Sequence, residues 1–116
     1  MTTEEKLFAI AQKLLSSTQA GKQNWEESVA DATFITNMTK YSVTIEKIHG
    51  MNEQGSRVPG MILSLLNSEG KTLESLRAMQ FDLGDDYDLM EELFVAARRV
   101  ALDVDRAIDD VLSELE

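Results

Sequence analysis

Several short stretches carry residue types that could do chemistry. Gly70-Lys71-Thr72 matches the tail of a phosphate-binding loop, in which backbone N–H groups cradle phosphates and the lysine reaches them. The full pattern needs a glycine five positions before Gly70, where this chain has Leu65, and a helix afterwards, where it reads as strand. A hairpin turn accounts for these residues instead. Asp85-Asp86-Tyr87-Asp88 is a dense acidic run, but it lacks the alternating ligands, central glycine and terminal glutamate of a calcium loop. Capping of a helix explains it. Asp103, Asp105, Asp109 and Asp110 lie within a helical pattern and do not converge on one face, which argues against a metal cage. His49 is the only histidine, and it stands at a strand end with no serine nucleophile at a recognisable distance. The chain has no cysteine, so disulfides, thiolate metal sites and cysteine nucleophiles are excluded. Carboxylate pairs are available for acid–base work, but no nucleophile–base set is recognisable. No catalytic residue, cofactor or metal ligand is therefore assigned, and an enzyme is not expected.

A second kind of site is a contact surface. Arg98 and Arg99 point away from the apolar stripe of a C-terminal helical pattern. Val95 and Leu102 are seven apart on that outer face, close to Arg98, Arg99 and Arg106, with Glu91 at its start. Apolar residues ringed by charge form a candidate partner surface: Glu91, Val95, Arg98, Arg99, Leu102 and Arg106. Arg99 with Asp103, and Arg106 with Asp110, have the i,i+4 spacing of pairs internal to a helix.

Charge narrows the partner. The net charge is −10, and it is unevenly spread. Residues 1–81 hold 9 acids and 8 bases, whereas residues 82–116 hold 12 acids and 3 bases. An acidic surface repels nucleic acid and anionic membranes and attracts a basic protein. No run approaches the ~18 apolar residues of a membrane span. The start, MTTEEKLF, carries acids where a signal peptide carries bases, so the cytoplasm is the expected compartment.

The elements that must position these residues form one α+β domain, residues 1–116. Thr2 and Glu5 have capping-box spacing before a helix over 3–20, whose Leu7, Phe8, Ala11, Leu14, Leu15 and Thr18 share a face and whose end is marked by Gly21. Residues 22–32 are ambiguous: Trp25 and Val29 could share a helical turn, and Trp25 suits the edge of a core. Residues 33–37 read as a short strand. Tyr41, Val43 and Ile45 alternate with polar residues as a half-buried strand over 41–48. The apolar run 61–66 reads as a central strand, Asn67-Ser68-Glu69-Gly70 as a turn, and 72–79 as the returning strand. Residues 49–60 hold three glycines and the only proline and read as a long polar loop. The pattern predicts an antiparallel meander of three or four strands between the N-terminal helix and a long C-terminal helix over 86–115, with both helices on one face of the sheet.

Lengths then matter. A helix of about 30 residues spans ~45 Å, whereas a strand of about seven residues spans ~23 Å. The long helix must overhang the sheet. Its stripe (Leu89, Leu93, Ala97, Val100, Val104, Ile108, Val111, Leu115) nevertheless runs to the end. The surplus must be covered by the first helix or by another chain.

The order Leu14-Leu15, Gly21-Lys22, Trp25, Phe34, Tyr41-Ser42-Val43, Asn67, Gly70, Ala97-Arg98-Arg99 and Val104-Asp105 resembles small stand-alone bacterial α+β proteins of unknown function. The resemblance spans most of the chain and implies a bacterial or mobile-element origin and one compact domain. It carries over no catalytic residue. The expected function is a non-enzymatic interaction module, homodimeric through the long C-terminal helix. Aspartate or lysine at Val95 and Leu102 should then make a dimer monomeric without unfolding it. The alternative is an acidic inhibitor, antitoxin or immunity-type protein that covers a basic surface of a partner, with association weakened by salt.

Overall fold

The computed structural model describes residues 1–82 and 84–116. Helix α1 (Thr3–Gln19) begins at the anticipated capping box: the Glu5 amide donates to Thr2 Oγ1 at 3.1 Å and the Thr2 amide to Glu5 Oε1 at 3.4 Å. It ends where Gly21 takes φ +74°, a conformation that costs glycine little. The ambiguous segment that follows is not helical. It holds a two-residue strand, β1 (Glu26–Glu27), and a buried Trp25, while Val29 is exposed. Trp25 Nε1 donates to Thr18 Oγ1 at 2.9 Å, and Thr18 donates to the Leu14 carbonyl at 2.6 Å. Gln23 Nε2 donates to Thr36 Oγ1, which donates to the Asn24 carbonyl, both at 2.6 Å. This polar chain ties the end of α1 to the sheet with its buried donors satisfied.

Four longer strands complete the sheet: β2 (Thr33–Asn37), β3 (Ser42–Met51), β4 (Arg57–Leu66) and β5 (Thr72–Met79). The order β1-β2-β3-β4-β5 is an antiparallel meander of five strands, rather than three or four. The register lines up Phe34, Ile45, Leu63 and Leu76 across four strands on one face, and that face is the core side. Thr44, Ser64 and Ser75 align on the opposite face, with the two serine hydroxyls 2.9 Å apart. Tyr41 precedes β3 and is exposed, so the alternation that begins with it is buried only at Val43 and Ile45.

The expected loop over 49–60 is mostly strand. β3 and β4 continue to the pair Met51 and Arg57, leaving a tight turn between them. Glycine and proline are poor strand residues, yet each has a place here. A Cβ on Gly60 would overlap the Met79 sulfur, and one on Gly50 would lie 2.8 Å from the Met79 methyl, so both glycines make room for a buried Met79. The Pro59 carbonyl accepts from the Gln80 amide at 3.0 Å, beyond the end of β5. In an antiparallel strand N and C=O point the same way, so the missing N–H leaves no gap in the β3 ladder.

The two long hairpins share one turn. Asn52 Oδ1 accepts from the amides of Gln54 and Ser56, and Asn67 Oδ1 from those of Glu69 and Lys71, at 2.9–3.0 Å. Gly55 and Gly70 take φ +78° and +82° three residues after each asparagine. Asn67→Ala removes two of these bonds and is expected to cost about 1 kcal/mol in urea unfolding. Asn67→Asp, which keeps an acceptor oxygen, is expected to recover most of it.

After β5 the chain forms α2 (Asp86–Ala101) and α3 (Val104–Glu114). The single long helix anticipated over 86–115 is therefore broken. Leu102 and Asp103 lie between the two, and Asp103 has φ +51° and ψ +48°. Aspartate tolerates the left-handed region better than most residues, though at a cost of about 1–2 kcal/mol. Asp85 occupies the N-cap of α2, but its side chain makes no capping hydrogen bond. Helices α1 and α2 pack together and on one face of the sheet, with Leu7, Ala11, Leu14, Met90, Leu93 and Ala97 meeting the strand residues. Phe94 packs tilted on Phe34, ring centroids 5.3 Å apart. Helix α3 has no buried residue, and its main neighbour is α2.

Candidate interaction surface

The buried side of α2 fixes what its outer side shows. With Met90, Leu93, Phe94 and Ala97 in the core, Glu91, Val95, Arg98 and Arg99 are exposed. Glu91, Val95 and Arg99 line a groove of about 520 Å³ with Thr18 and Gln19 of α1 and Asp105 of α3. Its floor is apolar (Val95, Ala96, Val100), and Val95 keeps 51% of its surface exposed. Arg98 lies outside this groove.

The helix break rearranges the rest of the anticipated surface. A continuous helix would align Leu102 with Val95. Because the helix stops at Ala101, Leu102 instead lines a separate apolar groove of about 490 Å³, with Val104, Ala107, Ile108, Val111 and Leu112. Arg99 pairs with Asp105 in place of Asp103, whose left-handed backbone takes it out of helical register. Among the described residues this is the one ion pair, so Arg106 and Asp110 do not form the anticipated one. Arg106 is exposed on α3. The six candidate residues are thus divided: Glu91, Val95 and Arg99 in one groove, Leu102 in another, and Arg98 and Arg106 exposed outside both.

The α3 groove is the more apolar of the two. Val104, Ala107, Ile108, Val111, Leu112 and Leu115 fall within about 140° of the helix circumference at 100° per residue. Ile108, Val111, Leu112 and Leu115 are exposed, Leu115 to 78%. Asp105 borders this arc on one side and Glu114 on the other. Residues 104–116 carry five acids and one base. Ala107 and Leu112 belong to this face but not to the stripe read along an unbroken helix. Their i,i+4 and i,i+3 spacing to Val111 and Leu115 was the available signal.

At the other end of α2, Tyr87 is buried and its hydroxyl donates to Glu91 Oε2 at 2.8 Å. Burial, then this bond, then the charges of Glu91 and Asp88 push the Tyr87 hydroxyl up to about 12. A folded value above the unfolded value near 10 means the associated stability is present below pH 10 and is lost as pH rises toward 12. That loss is expected to appear as a fall in the unfolding free energy between pH 10 and 12. Tyr87→Phe is expected to flatten it in urea unfolding across this window, at a cost near neutrality of about 1 kcal/mol for the missing bond.

The remaining chemistry-bearing residues are structural or exposed. Gly70 and Lys71 belong to the hairpin turn before β5, and His49 is an exposed residue within β3, opposite Pro59. Among the described residues, no helix is long and apolar enough to cross a membrane. No protein-family model, curated protein or solved structure matches the chain.

Proposed function

We propose that this chain is a non-enzymatic protein-interaction module that works through α3 and pairs with a second copy of itself there. One observation carries the reading: α3 presents a continuous apolar face and buries none of its residues. An isolated helix of 11 residues is marginal in water, so α3 needs a cover that packs on that face. A second copy supplies a matching face, and a two-fold pairing lets each α3 cover the other. A cytoplasmic location and a bacterial or mobile-element origin belong to the same proposal, the origin on the resemblance.

Sedimentation equilibrium over a range of protein concentrations tests this. Pairing is expected to tighten as salt rises, because salt screens the acids that border both copies of the face. A monomer at every concentration and salt would remove the self-pairing. The second reading, an acidic protein that covers a basic surface, is favoured by those same bordering acids.

A further inference from the structure

We propose that the apolar face of α3 is also the docking site for a cationic amphipathic helix of another protein, and that this helix displaces the second copy. The inference rests on α3 being the contact element and adds the chemistry of its preferred occupant. The apolar positions 104, 107, 108, 111, 112 and 115 repeat at the spacing that meets another helix side by side. A shallow stripe of this kind suits a helix better than a single inserted side chain.

Charge selects among helices. Asp105 and Glu114 border the stripe, and Asp109, Asp110 and Glu116 lie behind them. Arg99 neutralises Asp105, and Arg106 stands on the far side of α3 from the stripe. With Asp109 and Glu116 on the Asp105 side of the stripe and Asp110 and Glu114 on the other, a second copy brings like charges to both sides, whereas a helix with lysine or arginine beside its apolar face brings opposite ones. Border charges of this kind decide coiled-coil partners. The neighbouring groove extends the same field: Glu91 and Glu92 line it beside the paired Arg99 and Asp105, and α1 ends there with no basic residue in its last turn to offset its carbonyl dipoles. The occupant is thus a basic helix, and the second copy is the weaker competitor for the same face.

The test uses the full chain and two synthetic helical peptides with the same leucine stripe, one with lysine at every other position and one with glutamate. The lysine peptide is expected to bind in low salt, to convert the pair into a one-to-one complex, and to lose about tenfold or more in affinity in high salt. The glutamate peptide is expected not to bind. A variant combining Asp109→Asn, Asp110→Asn and Glu114→Gln should bind the lysine peptide about tenfold more weakly and pair with itself more tightly. Circular dichroism and Trp25 fluorescence check that it is folded.

Equal binding of both peptides would overturn the inference. So would undiminished binding of the lysine peptide to an Ile108→Asp/Val111→Asp variant, which would mark attraction to the acidic surface at large. A pair that forms but ignores the lysine peptide would leave self-pairing standing and defeat the inference. A monomer that binds the lysine peptide through α3 would do the reverse.

Discussion

Trp25→Ala is expected to lower the unfolding free energy by about 3–5 kcal/mol, the largest effect of any single substitution considered. Trp25 is 3% exposed and closes the core where α1 ends and the sheet begins. Removing the indole leaves a cavity there and takes away the donor that satisfies Thr18 Oγ1 at 2.9 Å. Domains of this size have about 5–15 kcal/mol in total, so most of the margin goes. Trp25→Phe keeps much of the ring and loses the hydrogen bond, and it is expected to cost about 1–2 kcal/mol. Urea unfolding followed by circular dichroism separates the two, since the substitution removes the only tryptophan fluorophore. Equal costs for Ala and Phe would mean that the bond to Thr18 outweighs the packing.

Ile108→Asp combined with Val111→Asp is expected to abolish self-pairing while leaving the domain folded. Both residues are exposed in a single chain, so the unfolding free energy should shift by less than about 1 kcal/mol. In a two-fold pair each substitution acts twice. Losing even about 1 kcal/mol at each of four positions weakens association by several hundredfold or more. Leu102→Asp should weaken it in the same direction, because Leu102 lines the same groove. Val95→Asp should not, because Val95 lines the groove on the other side. Sedimentation equilibrium of the three variants reads the difference. Loss of pairing in the Val95 variant alone would move the interface to the α1–α2 groove.

How much of this was legible depends on which physics each segment used. Helix α1, the first half of β3 and β5 announce themselves through local signals: a capping box, an apolar–polar alternation, and the Asn67–Gly70 turn residues. The β3–β4 hairpin did not. Its turn, Asn52-Glu53-Gln54-Gly55, has the same Asn and Gly spacing as Asn67-Ser68-Glu69-Gly70. Its flanks, however, carry Gly50, Pro59 and Gly60, which propensity assigns to loop. Their strand conformation rests on a tertiary contact, Met79 lying over both glycines, that no local window contains.

The C-terminal region was half legible for a similar reason. Periodicity correctly marked α2 and showed that the apolar stripe outruns the sheet, which is why cover by the first helix or by another chain was anticipated. It could not mark the break. Leu102-Asp103 contains neither glycine nor proline, and the left-handed turn at Asp103 leaves the apolar periodicity nearly in phase. The consequence fell on the candidate surface: Val95 and Leu102 separated into two grooves, Arg99 changed partner, and Ala107 and Leu112 joined the exposed face.

The central claim is that another chain covers α3. Amide hydrogen exchange of residues 104–114 at increasing protein concentration tests it most directly, with the amides of β3 and β4 as an internal reference. Protection of α3 is predicted to be low in dilute solution and to rise with concentration, while that of the sheet stays constant. Slow exchange in α3 that does not change with concentration would contradict the account, because α3 would then be held by its own chain.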